Sequence, residues 1–119
     1  MVYGSNVLKV KQRDIILIKF PFSDLSNAKV RPALVISNNE YNKQKLDCIV
    51  LAMTSNLSKS EYKVIVESKD LNSGSLPVKS AVRVDKPFSV LQSKTLKIQA
   101  RINTSKFKAV EKALLKLIN

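Results

Sequence analysis

Residues 14–37 read DIILIKFPFSDLSNAKVRPALVIS, and this segment sets the architecture of the chain. Two strand-like apolar runs, residues 15–20 and 33–36, flank a polar loop over residues 22–30 (FSDLSNAKV). Pro21 has no N–H to donate and stops ladder pairing after the first strand, which spans residues 14–20. Pro32 biases Arg31 toward an extended backbone, after which residues 33–37 form the second strand. A fixed cation is therefore expected where a flexible loop meets a rigid strand. In a chain of net charge +12 with no histidine, that placement suggests an anion site whose chemistry runs without imidazole.

Working outward, residues 47–53 and 62–67 read as a third and a fourth strand by their β-branched content. Residues 80–85 (SAVRVD) alternate, with Val82 and Val84 on one face and Ala81, Arg83 and Asp85 on the other. Residues 95–102 (TLKIQARI) alternate again, placing Leu96, Ile98, Ala100 and Ile102 opposite Lys97, Gln99 and Arg101. Residues 37–45 read as a polar connection, 54–60 as a loop, and 68–79, with Gly74 and Pro77, as an exposed connection. Residues 1–13 are polar and basic without periodicity and predict a flexible arm. Phe107, Val110, Leu114, Leu117 and Ile118 recur at helical spacing, so a helix is predicted over residues 105–118 with Thr104 or Ser105 as its cap. Five or six short strands and one amphipathic helix make a mainly β (α+β) domain over residues 14–119. The expected form is a small, mostly antiparallel barrel on which the helix buries its stripe.

At 119 residues the chain suits a single domain with one modest core. Its 45% apolar content fits a globular protein, and no apolar run approaches the ~20 residues of a membrane span. The first dozen residues lack the apolar core of a signal peptide, so no export is expected. Cys48 is the one cysteine and lies in an apolar run, which predicts a reduced, buried thiol in a cytoplasmic protein. The 21 basic residues against 9 acidic ones favour a polyanionic partner, of which nucleic acid is the commonest. The plainer reading is a lysine-rich solvated surface, since the lysines are scattered and form no block.

The composition excludes most catalytic arrangements. Without histidine, with one cysteine and with no paired carboxylate spacing, neither a metal site nor a cofactor is expected. Cys48 has no histidine to activate it as a nucleophile. With Gly4 and Gly74 alone, no phosphate-cradling glycine loop exists. Catalysis would rest on Arg, Lys, Asp/Glu, Ser/Thr, Tyr and backbone amides. Arg31 presents a permanently charged planar fork suited to phosphate oxygens, although a lone Arg-Pro is ordinarily a loop arginine. Thr54 and Ser55 end an apolar strand with hydroxyls able to donate to a phosphate or orient a ribose; alone they would be turn residues. Arg83 and Asp85 share a strand face, as a cation beside a carboxylate at an RNA backbone or simply as a surface ion pair worth under about 1 kcal/mol.

The order of Asp14, RPALVIS, the strand ending Ala52-Met53-Thr54-Ser55, SAVRVD and a terminal helix resembles the MazF/PemK-like endoribonuclease toxins over nearly the whole chain. The resemblance implies an SH3-like barrel with an appended helix, a homodimer, and a cognate antitoxin that blocks the RNA groove. It also implies metal-independent, sequence-selective cleavage of single-stranded RNA, by attack of the ribose 2′-hydroxyl on the adjacent phosphorus. Arg31 matches the family's Arg-Pro arginine, Thr54 its threonine after the third strand, and Arg83 and Asp85 the Arg-x-Asp assigned to acid–base work. Lys29, Ser55, Lys97 and Arg101 would then bind substrate. In departure from the family, Arg13 replaces the glycine usual before Asp14, the histidine some members carry in the first loop is missing, and no glycine marks the start of the last helix. A non-catalytic nucleic-acid-binding barrel, a gyrase-directed toxin of related fold and a peptide-holding module are the competing readings.

Overall fold

A computed structural model describes residues 9–20 and 29–119. The first strand, β1 (Asp14–Phe20), pairs antiparallel with β2 (Lys29–Val35), matching Ile15 to Leu34 and Phe20 to Lys29. A short helix, α1 (Asn39–Gln44), leads to β3 (Asp47–Thr54), which pairs with β2 through Ala33↔Ala52, Leu34↔Leu51 and Val35↔Val50. Then follow β4 (Lys63–Val66), β5 (Leu71–Gly74), β6 (Ser80–Leu91), β7 (Lys97–Ile102) and the terminal helix α2 (Thr104–Ile118). The strands form one seven-stranded sheet in the order β4-β6-β3-β2-β1-β7-β5, every pair antiparallel. The sheet curls into a half-barrel, and α2 packs on β6 and β4.

The central strands are covered on both faces, which is why their sequences are continuous apolar runs rather than alternating ones. Ile15, Leu34, Leu51, Met53, Val82, Val84, Ala100 and Ile102 join Phe107, Val110 and Ala113 of α2 in one core cluster. Ile16, Ile18, Ala33, Val35, Cys48 and Val50 join Val10 in a second. Burying each large aliphatic side chain contributes about 1.5–3 kcal/mol, so the sheet between these clusters is the most strongly held part of the molecule.

Several expectations need correction. The second strand begins at Lys29, so Lys29 and Arg31 lie in a strand and not in a loop, with Arg31 opposite Ile18 of β1. Pro32 is tolerated there because the β2–β3 ladder starts only at Ala33, leaving Pro32 paired to β1 alone. Seven strands form where five or six were expected. The polar stretch after Ser37 contains α1, started by Asn38, whose Oδ1 accepts the Tyr41 N–H at 2.8 Å. Within the expected connection of residues 68–79 lies β5, and the SAVRVD strand continues to Leu91. Gly74 has φ +77°, and a Cβ there would lie 2.1 Å from the Gln99 carbonyl oxygen, so β5 meets β7 at a spacing only glycine permits.

Leu96 lies before β7 and is 56% exposed. A register shift in the β1–β7 ladder sends Ile98 to the second cluster while Ala100 and Ile102 join the first, so the single apolar face expected from alternation does not form. The cap of α2 is Asn103, whose Oδ1 accepts the Lys106 N–H at 2.7 Å, rather than Thr104 or Ser105. The buried stripe of α2 is Phe107, Val110 and Ala113 with Leu114 partly covered, whereas Leu117 and Ile118 stand exposed, Ile118 by 75%. Lys116 pairs with Glu61 to hold this last turn against the approach to β4. The arm expected over residues 1–13 falls, for residues 1–8, outside the described residues. The rest of it is packed: Val10 is buried and its N–H donates to Gln92 Oε1 at 3.1 Å. Gln92 is itself buried, and its Nε2 donates to the carbonyls of Asn42, Lys45 and Asp47 at 2.8–3.0 Å.

Arg13, where the resemblance expects glycine, has φ +81°, in the left-handed region that glycine adopts freely. Three bonds hold it there. Its N–H donates to the Val35 carbonyl at 2.9 Å, its carbonyl accepts the Ile102 N–H at 3.1 Å, and Nη1 donates to the Ile102 carbonyl at 2.8 Å. The next residue, Asp14, is 5% exposed at its side chain and receives Arg101 Nε on Oδ1 at 3.1 Å and the Lys11 N–H on Oδ2 at 2.9 Å. Together these contacts lock the start of β1 to β7 and β2.

Replacing Arg13 separates backbone strain from side-chain bonding. Arg13→Gly should be more stable than Arg13→Ala by about 1 kcal/mol in urea unfolding, the reverse of the ordinary preference, because both lose the Nη1 bond and only glycine relaxes the torsion. Arg101→Ala should lower stability by about 1–3 kcal/mol, less than a fully buried pair because Arg101 remains 27% exposed, while Lys97→Ala changes it by under about 0.5 kcal/mol. Burial, with a smaller effect of the Asp47 carboxylate, pushes the Cys48 thiol up to about 11 from an ordinary 9.0. The unfolded chain then gives up this proton at lower pH than the folded one, so stability falls as pH rises from about 9 to about 11. Urea unfolding under reducing conditions should show Cys48→Val gaining on the parent across that window, and a constant difference would refute the assignment.

Candidate active site

The register of β2 and β3 brings the two leading site residues together. The β2–β3 ladder ends at Ala33↔Ala52, and two residues further along their strands stand Arg31 and Thr54, each on the sheet face of those alanines. Ile18 flanks Arg31 on the β1 side, and Ala81 flanks Thr54 on the β6 side. Arg83, two residues beyond Ala81, shares that face and stands opposite Lys63 of β4. The strand ends carrying Arg31 and Thr54 border a cavity of about 290 Å³, together with Lys29, Ser55, Pro32 and Met53. The remaining wall is the segment Leu76, Pro77, Val78 and Ser80, with Gln99 of β7.

Thr54 is partly exposed, and its Oγ1 accepts the Asn56 N–H at 3.1 Å. Because the hydroxyl oxygen is fixed as an acceptor, its own hydrogen is left to donate outward. Beyond Asn56, the Ser58 N–H donates to Asn56 Oδ1 at 2.9 Å, and Lys63 Nζ donates to Ser58 Oγ at 2.9 Å. The turn that follows Thr54 is thus stitched by its own side chains and by β4.

The other expected residues lie outside the cavity wall. Arg83 Nη2 meets Asp85 Oδ2 at 3.2 Å, both side chains more than a third exposed, so the pair adds under about 1 kcal/mol to stability. Arg83 Nε is buried with no hydrogen-bond partner among the described residues. The guanidinium is therefore aimed by the sheet rather than fully consumed by Asp85. Lys97 is exposed on β7, opposite Leu17 of β1, and a register shift in that ladder separates it from Gln99. Arg101 is committed to Asp14 at the far end of β1 from Arg31. The structure thus brings four of the expected residues, Arg31, Thr54, Lys29 and Ser55, to one cavity, whose second wall was not expected. Leu76, Pro77 and Gln99 carried no signal, because a short irregular segment and a neutral amide follow no periodic pattern. Among the described residues, no group of His, Cys, Asp and Glu side chains gathers to hold a metal ion. No helix among them is long and apolar enough to cross a membrane.

Comparison with known proteins gives this geometry its context. A structure titled as an endoribonuclease from Mycobacterial species superimposes with a TM-score of 0.76 at 13% identity, over 96% of this chain and 95% of the other. A second, titled as an endoribonuclease in complex with its cognate antitoxin from Mycobacterial species, matches with a TM-score of 0.75 at 14% identity, over 92% and 94%. MazE-MazF from Deinococcus radiodurans matches with a TM-score of 0.75 at 19% identity, over 93% and 97%. At such identities the likeness concerns the fold. No curated protein sequence matches the chain. The family profile described as PemK-like, MazF-like toxin of type II toxin-antitoxin system matches residues 11–118, nearly the whole chain. The chain belongs to that family of toxins.

Proposed function

We propose that this toxin is a metal-independent endoribonuclease that cuts single-stranded RNA at selected sequences. The observation that carries the reading is that Arg31 and Thr54, from the neighbouring strands β2 and β3, border one cavity. In the proposed reaction the ribose 2′-oxygen attacks the adjacent phosphorus and gives up its proton. The bond to the 5′-oxygen breaks, that oxygen gains a proton, and the products are a 2′,3′-cyclic phosphate and a 5′-hydroxyl. Negative charge grows on the non-bridging oxygens in the transition state, and Arg31 offsets it electrostatically. A guanidinium is a poor base, so a proton-shuttling role is not assigned to it. Thr54 donates its free hydroxyl hydrogen to a phosphate oxygen. Asp85, oriented by Arg83, takes or returns a proton, and Lys29, Ser55 and Lys97 hold the backbone. The Asp14 ion pair takes Arg101 out of this set. Single-stranded substrate is required because the 2′-hydroxyl and unstacked bases must be reached.

The partners follow the same chemistry. A chain of net charge +12 suits both RNA and an acidic antitoxin peptide that would compete for the same surface. The neighbours titled as complexes with a cognate antitoxin and as MazE-MazF support an antitoxin partner for this chain too. Assembly as a homodimer and a cytoplasmic site of action complete the proposal.

The test is incubation of purified protein with a long single-stranded RNA in EDTA, with the fragment ends identified chemically. Arg31→Ala should slow cleavage by about 100-fold or more, and Thr54→Ala by about tenfold. Retention of intact RNA that weakens with salt, without cutting, would instead identify a binding barrel.

A further inference from the structure

We propose that Lys63 is a positioning residue that fixes the direction of the Thr54 hydroxyl by clamping the turn of residues 55–58; this rests on Thr54 acting in RNA cleavage. Lys63 Nζ donates to the Asn56 carbonyl at 3.2 Å, to the Ser58 carbonyl at 3.4 Å and to Ser58 Oγ at 2.9 Å. The same Asn56 donates its N–H to Thr54 Oγ1 at 3.1 Å and accepts the Ser58 N–H on Oδ1 at 2.9 Å. The ammonium is thus one bonded residue removed from the hydroxyl, and it spends its donors on the turn rather than on a carboxylate.

Two further observations make the lysine informative. It stands directly opposite Arg83 across the β4–β6 ladder, and like charges in that position disfavour strand pairing. A neutral side chain would suit the sheet better, so the cation's contribution lies in the turn. Residues 55–60 are all exposed and supply no buried side chain, so the Lys63 bonds and the short-range bonds within the turn are what order it. Loss of the ammonium would free the Asn56 N–H from a fixed position, and the Thr54 hydroxyl would rotate among staggered wells. Only the transition state, with its added negative charge, needs the donor held in one of them. The loss therefore falls on kcat and leaves KM nearly untouched.

The experiment measures cleavage of a short RNA spanning a mapped cut by Lys63→Met, Lys63→Arg, Ser58→Ala, Thr54→Ala and the Lys63→Met/Thr54→Ala pair. Lys63→Met should lower kcat by about tenfold with KM within about twofold, and Lys63→Arg should restore most of it. Ser58→Ala, in the exposed turn and away from the sheet, should lower kcat by about threefold, which keeps the test open should Lys63→Met fail to fold. With Thr54 already removed, Lys63→Met should cost less than about a further twofold. A parental rate for Lys63→Met, or for Ser58→Ala where Lys63→Met does not fold, overturns the clamp. So does a tenfold loss that persists without Thr54, since Lys63 would then act on RNA directly or through the fold. Thr54→Ala cutting as fast as the parent would remove the role of Thr54 and the clamp together, whereas a slow Thr54→Ala beside a fast Lys63→Met removes the clamp alone.

Discussion

The register between β2 and β3 is the constraint on which the rest of the molecule depends. Ala33 faces Ala52 and Leu34 faces Leu51, so each strand sends one set of side chains to the α2-covered core and the other to the Val10 cluster. A slip of one residue would exchange those sets and carry Arg31 and Thr54 to opposite sides of the sheet. Two separate apolar clusters oppose that slip, because Ala33 and Ala52 could not fill the volumes of Leu34 and Leu51. The same packing that stabilises the sheet therefore also holds the arginine and the threonine in one place. The geometry of the candidate site is a by-product of core geometry.

The lack of histidine shapes what that geometry can do. In the proposed reaction charge stabilisation would fall to guanidinium and hydroxyl groups. Proton movement there would fall to a carboxylate, and Asp85 is held beside Arg83. Arg83 and Arg101 illustrate how environment sorts identical side chains. Arg101 meets a nearly buried carboxylate and becomes part of the scaffold, while Arg83 meets an exposed one and keeps an unpartnered Nε on the site face.

The parts of this molecule legible in sequence are those with a strong period or a continuous apolar run. The core strands β1 to β3, the alternation of residues 80–85 and the Phe107–Val110 part of the α2 stripe fall in that class, and so do the positions of Arg31 and Thr54, because they sit at the ends of such runs. What escaped detection has local and weaker causes. Helix α1 has no apolar stripe and depends on Asn38 as its cap. Strand β5 carries a single large apolar residue, Leu71, and depends on Gly74 meeting Gln99. Residues 86–91 continue β6 despite Pro87, because β4 pairs only with Ser80 to Arg83 and leaves that side of the strand without a ladder to break. The second wall of the cavity and the Lys63 clamp arise from tertiary contacts between segments that show no pattern of their own.

Gln92 has a kinetic side. Its amide gathers the Asn42, Lys45 and Asp47 carbonyls on one nitrogen and the Val10 N–H on its oxygen, the last across 82 residues of chain. So distant a closure gains nothing until both ends are already placed, which puts the docking of Val10 among the last events of folding. Residues 9–13 would then also be the first to peel away, opening one flank of the sheet while the strands beneath remain paired.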